Sequence, residues 1–159
     1  MTARTYGPYE PTLDEFKRHI RMTTSDMDED LELKLKASIR SAEHYIGRIV
    51  ALSSFAYSGD VQSVLLLMGP VVEVSSVKVD GVDLPSDKYR LSGDALIVDA
   101  EGTSMTVSYT AGMQVVDDDI KSAILLHAAA LFENPVDSVE TLPKASSRLL
   151  APYRTWGVK

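Results

Sequence analysis

Apolar residues recur at helical spacing at both ends of this chain and alternate with polar ones in its middle. Leu31, Leu35, Ile39, Ala42, Ile46 and Ile49 follow one another at steps of four, four, three, four and three. That spacing turns one face of a helix toward a core. Lys34, Lys36, Arg40 and Glu43 take the opposite face. Ser25 stands before this stripe as an N-cap, with Asp26, Asp28 and Glu29 in the first turn, where acids complement the helix dipole. The expected helix has about 25 residues and spans roughly 37 Å. A shorter helix precedes it. Thr12-Leu13-Asp14-Glu15 is a capping box, Leu13, Phe16 and Ile20 share one face, and the helix is expected to stop near Met22.

Strand signals fill the middle of the chain. Ser53–Asp60 reads as a linker that holds Phe55 and Tyr57, and Val61–Met68 reads as a strand closed by Gly69-Pro70. Val72, Val74, Val77 and Val79 lead to Asp80-Gly81, a hairpin turn. Tyr89–Leu91 and Ala95–Val98 flank a second turn at Ser92-Gly93-Asp94. Met105, Val107 and Tyr109 alternate with Thr106 and Ser108. These segments predict a small antiparallel sheet of about four or five strands with meander connections. Asp117 then caps a helix whose stripe is Ile120, Ala123, Ile124, His127, Ala128 and Leu131, ended by Asn134-Pro135. A short helix is expected from about Ser146 to Ala151, cut by Pro152.

The predicted fold class is therefore α+β, a helical core with an inserted antiparallel sheet. One domain is expected for 159 residues. It comprises an extended arm over 1–11, helices over 12–52, the sheet over 61–112, a helix over 117–134, and a loop with a C-terminal docking tail over 135–159.

Composition narrows the function by exclusion. The chain has no cysteine, so disulfides and thiolate metal sites are out. The N-terminus lacks the apolar stretch of a signal peptide, and no apolar run approaches the ~20 residues of a membrane span. A net charge of −7 argues against a broad phosphate-binding surface. His19, His44 and His127 include no pair at zinc-helix spacing, and His127 on its apolar stripe reads as a core histidine. Asp117-Asp118-Asp119 and Asp26–Asp30 lack the ligand spacing of a calcium loop and read as acids in first turns. No serine stands in a nucleophile-elbow motif, and no phosphate-binding glycine loop occurs. Neither catalysis nor a metal or other cofactor is expected.

The remaining candidate is the tail. From Lys144 on, four cations (Lys144, Arg148, Arg154 and Lys159) occur with no acid. Arg148, Leu149, Leu150, Tyr153, Arg154 and Trp156 crowd an arginine- and aromatic-rich stretch of the kind enriched at interface hot spots. The competing reading has Leu149, Leu150 and Tyr153 sealing the core. Lys34, Arg40, Asp80, Asp83 and Lys88 are candidates for contacts between subunits, with the Asp80–Lys88 loops facing a neighbour or the tail side.

Several short motifs, in order, resemble the head–tail connector proteins of long-tailed phages. Leu13-Asp14-Glu15-Phe16-Lys17-Arg18-His19-Ile20-Arg21 is similar to that family's L-x-E-x-K-x-x-L-R opening. Asp28-Glu29-Asp30-Leu31, Ala37, Ser41-Ala42 and Tyr45-Ile46 resemble its next helix. Pro70-Val71 through Val77 resembles its P-V-x-x-V-x-S-V strand, and Val107-Ser108-Tyr109-Thr110-Ala111-Gly112 its V-x-Y-x-A-G strand end. Ile120–Ala128 resembles I-K-x-A-I-L-L-x-A, and Glu133-Asn134 its helix end, with Phe132 for Tyr and Pro135 for Arg. Leu149-Leu150-Ala151-Pro152-Tyr153-Arg154 resembles its L-L-x-P-Y-R close.

The resemblance covers about residues 12–154. It implies a virion structural protein of the neck, assembled in the bacterial cytoplasm. It implies a homo-oligomeric ring of about a dozen copies beneath a portal protein, with a tail or stopper protein on the other side. DNA would pass through the lumen without sequence-specific binding, and no membrane is involved. The C-terminal segment from Leu149 to Trp156 is the expected portal contact. The alternatives are a tail-completion or neck protein and a cytoplasmic adaptor or ligand-binding module.

Overall fold

The apolar stripe of the first third becomes the buried face of α2 (Asp28–Ile46), where Leu31, Leu35, Ile39 and Ile46 are fully buried. This computed structural model describes residues 1–134 and 142–155. The helix has 19 residues and is shorter than expected at both ends. Asp28 N–H donates to the Ser25 carbonyl at 3.2 Å, so a turn precedes the helix and Met27 occupies the cap with no side-chain bond. At the other end Gly47 adopts φ +74°, a left-handed conformation that favours glycine and ends the helix. Ile49 is buried all the same, just beyond that end.

The chain divides into two compact units. One comprises Tyr9–Val50 and the described residues from Val115 on, and it is helical. α1 (Leu13–His19) carries the predicted capping box. Glu15 N–H donates to Thr12 Oγ1 at 3.3 Å, and Thr12 N–H donates to Glu15 Oε2 at 2.7 Å. α1 ends before Met22, with Arg21 at φ +57°. Lys17 reaches Asp28 at 2.7 Å, tying α1 to the start of α2. α3 (Asp118–Glu133) packs against α2 and buries Ile120, Ala123, Ile124, His127 and Ala128. Asp117 occupies its cap position without a side-chain cap bond. α4 (Lys144–Leu150) packs on α3 and runs into a 3-10 turn over Ala151–Tyr153, where Pro152 stops it.

The other unit, Met1–Pro8 with Ala51–Gln114, holds two antiparallel sheets. The five-stranded one is ordered β1 (Thr2–Tyr6), β2 (Ser53–Asp60), β8 (Ser104–Ala111), β4 (Val71–Val79), β5 (Val82–Asp83). The three-stranded one is ordered β3 (Val64–Leu66), β7 (Ala95–Val98), β6 (Tyr89–Ser92). Three details differ from the sequence reading. Ser53–Asp60 is a strand and not a linker. Its serines, alanine and glycine have little strand preference of their own, but Phe55 stacks on Tyr109 of β8 at 5.2 Å and pairing on both sides holds it extended. The extended arm is paired over Thr2–Tyr6, opposite Tyr57–Ser53. The strands also do not form a simple meander, because β8 inserts between β2 and β4. Val64–Leu66 is the strand portion of the longer apolar run. The hairpins at Asp80-Gly81 and Ser92-Gly93-Asp94 form where expected, and Asp80 and Gly81 both have positive φ.

Two outcomes follow from these turns. A methyl added at Gly47 would meet Thr155 Oγ1 at 2.6 Å in addition to the backbone strain. Gly47→Ala should therefore lower unfolding stability by about 1–2 kcal/mol, read by urea denaturation. At the β4–β5 turn, the backbone N–H groups of Ser104 and Thr103 hold the Asp80 carboxyl below its ordinary pKa. A lowered folded pKa gives stabilisation that is complete above the ordinary aspartate value and disappears as pH falls through the lowered one. Asp80→Asn should thus show a smaller drop in melting temperature than the parent between about pH 6 and about pH 3.

Candidate interaction surface

The C-terminal segment is held by α2. Thr155 N–H and Thr155 Oγ1 both donate to the Ile46 carbonyl, each at 2.8 Å. These bonds satisfy a last-turn carbonyl that the helix cannot satisfy itself. The Arg154 guanidinium lies 5.4 Å from the Tyr45 ring centroid, a cation–π contact. Burial, and then the Asp117 carboxylate bonded to its hydroxyl, push the Tyr153 pKa up.

The tail candidates divide by exposure. Leu150 is fully buried and belongs to the core of the helical unit. Leu149 and Tyr153 are half-buried, and Arg148 and Arg154 are exposed. Trp156 lies outside the described residues. The core-sealing reading thus holds for Leu150, while Arg148 and Arg154 lie at the surface and Leu149 and Tyr153 at its edge.

The other candidates fall on both units. In the helical unit, Lys34 pairs with Asp30 at 2.5 Å and Arg40 is exposed on α2. In the sheet unit, Asp80 accepts from Thr103 N–H at 3.1 Å and Ser104 N–H at 2.8 Å, so its carboxylate shapes a turn. Asp83 lies 3.4 Å from Lys78, its neighbour across the β4–β5 hairpin. Lys88 lies 3.4 Å from Asp99 in an open groove also lined by Asp87, Tyr89, Arg90 and Ile97. Exposed pairs of this kind contribute about 0–1 kcal/mol each.

His127 is 4% exposed, and burial lowers its pKa, favouring the neutral ring. Its Nδ1 has no hydrogen-bond partner among the described residues. Among those residues no group of three or more His, Asp or Glu is placed to hold a metal. No described helix is long and apolar enough to cross a membrane.

Sequence reasoning missed Thr155 and the outward side chains of β3. The run Val64-Leu65-Leu66-Leu67-Met68 is apolar throughout, so its pattern gives no face. In the structure Leu65 and Leu67 are buried, while Val64, Leu66 and Met68 are 58%, 78% and 49% exposed.

The division of the tail can be checked by paired substitutions. Leu150→Ala should cost about 2–4 kcal/mol of stability through the cavity it leaves. Arg148→Ala should stay within about 0.5 kcal/mol of the parent. Chemical denaturation of the two variants separates core from surface.

No curated protein sequence matches the chain. Solved structures similar to it come from gene transfer agent (GTA) particles. A chain from the neck of the native GTA particle computed with C12 symmetry has a TM-score of 0.76 at 18% identity, covering 99% of this chain and 97% of that one. One from the neck of the empty GTA particle computed with C6 symmetry has a TM-score of 0.75 at 22% identity, with the same coverage. One from the virion of the native particle has a TM-score of 0.71 at 22% identity, covering 98% and 97%. These likenesses agree on the fold. The sequence itself matches the phage gp6-like head-tail connector proteins over residues 10–154, nearly its whole length. The chain therefore belongs to the phage gp6-like head-tail connector family and is a virion structural protein.

Proposed function

We propose that this connector acts by symmetric assembly, as a ring that joins head to tail without catalysing a reaction. The observation that carries this reading is the family match, which spans residues 10–154 and includes the C-terminal segment. The necks with C12 and C6 symmetry support a ring, since similar chains there sit about a rotation axis. In this reading the ring meets a portal protein on one side and a tail or stopper protein on the other. The portal contact is assigned to Arg148, Leu149, Tyr153 and Arg154, with Trp156 beyond them. The net charge of −7 suits a conduit that repels DNA phosphates and does not hold them.

The test is mass by light scattering on the purified chain, alone and mixed with its cognate portal. A ring, or co-migration with the portal, supports the reading. Removal of the whole tail would also remove Ser146 and Leu150 from the core. Arg148→Glu combined with Arg154→Glu is the better probe. It should weaken portal binding at least about tenfold, a loss of about 1.4 kcal/mol, and leave the fold intact by circular dichroism. A monomer that ignores the portal at every concentration overturns the reading.

A further inference from the structure

Among the described residues the three-stranded sheet has two open edges, and their geometry fits each other. Leu67 N–H donates to the Asp94 carbonyl and Val98 N–H to the Ser63 carbonyl, both at 2.9 Å. With Leu65 opposite Leu96, the bonding groups of residues 63, 65 and 67 face β7. Those groups alternate along a strand, so the N–H and C=O of Val64 and Leu66 point outward from β3. On the other side, Asp99 N–H donates to the Lys88 carbonyl at 2.8 Å, and Arg90 pairs with Ile97. By the same alternation the backbone groups of Tyr89 and Leu91 point outward from β6.

The β3 edge is unprotected. Its segment Val64-Leu65-Leu66 holds none of the lysines, prolines or charges that keep an edge from pairing. Val64 and Leu66 stand 58% and 78% exposed beside it. β6 is also exposed, from Arg90 to Ser92.

We propose that β3 of one copy pairs with β6 of the next copy around the ring, so that the small sheets join into one continuous band. The proposal rests on the ring reading above. β3 and β6 are each antiparallel to β7 and hence parallel to each other. A copy generated by rotation keeps that direction and brings β6 alongside β3 as a parallel ladder. Two different edges of the same sheet make a head-to-tail contact, which is the kind that closes into a ring. Pairing β3 with β3 would stop at a dimer. With twelve copies, as in the C12 neck, and three strands per copy, strands about 4.8 Å apart close a band about 55 Å across. That leaves room for a DNA duplex. The Val64 and Leu66 side chains of one copy then lie against Arg90 and Ser92 of the next, since all four project from the same face.

The absence of native cysteine makes the test direct. Val64→Cys or Leu66→Cys is combined with Arg90→Cys or Ser92→Cys, four double variants that cover neighbouring registers. Within one chain β7 separates these positions by about 9.6 Å, two strand spacings, beyond disulfide reach. Any disulfide is therefore between copies. In assembled rings, oxidation of at least one double variant should give a covalent ladder longer than a dimer, while single variants give at most dimers. Rings seen by light scattering and electron microscopy in which no double variant forms a ladder overturn the edge pairing and leave the ring standing. Failure of the parent chain to form rings, alone or with portal, overturns both. Leu66→Lys adds an independent reading. It should raise the concentration for half-assembly at least tenfold with the melting temperature unchanged, and unchanged assembly counts against the pairing.

Discussion

The last turn of α2 must find hydrogen-bond partners for carbonyls that no further helix will satisfy, and the helical unit is arranged around that need. Gly47 N–H and Arg48 N–H both donate to the Glu43 carbonyl, at 2.8 and 3.3 Å. Thr155, more than a hundred residues away in sequence, supplies two donors to Ile46. Glu43 also turns its side chain inward, 5% exposed, and accepts from Val50 N–H at 2.9 Å. One buried carboxylate thus fixes the exit of the chain from the helix. A buried acceptor left without its donor costs about 1–3 kcal/mol, so these contacts form together. The position of the tail, and of Arg154 over Tyr45, depends on this closure.

The sheet unit is organised by β8. It pairs with β2 on one side and β4 on the other, and its buried residues Met105, Val107, Tyr109 and Ala111 form a row in the core. Tyr109 serves two partners. Its ring stacks on Phe55, and its hydroxyl accepts from Met68 N–H at 3.3 Å, tying the chain just beyond β3 to the larger sheet. The opposite face of β2 and β8 carries Ser54, Ala56, Ser58, Thr106 and Ser108, uncharged and small, and ends on Asp60. The exposed apolar residues of this unit include Val64, Leu66 and Met68 at β3, Leu91 on β6, and Val72 and Val82 on β4 and β5. Hydrophobic surface set beside unpaired backbone is expensive for a lone subunit and useful for one that assembles.

The described residues place charge in local pairs, such as Lys17 with Asp28 and Lys34 with Asp30, and polar side chains in turns and caps. Arg148 and Arg154 stay at the surface, Leu149 is half-buried and Leu150 is buried.

The sequence alone determined the α+β class, the capping box at Thr12, the buried stripe of α2, and the hairpins at Asp80-Gly81 and Ser92-Gly93-Asp94. Each of these is set by neighbours within a few residues: a side chain near its own amide, a 3.6-residue period, or a turn that needs positive φ. Family motifs, being local strings, were legible for the same reason. Tertiary structure alone decided that Ser53–Asp60 is a strand, that the N-terminal arm pairs with it, and that β8 lies between β2 and β4. It also decided which leucines of Val64–Met68 face water and that Leu150 is core while Arg148 is surface. These outcomes depend on partners dozens of residues away. A run of serines or of leucines has no face until another strand or helix packs against it.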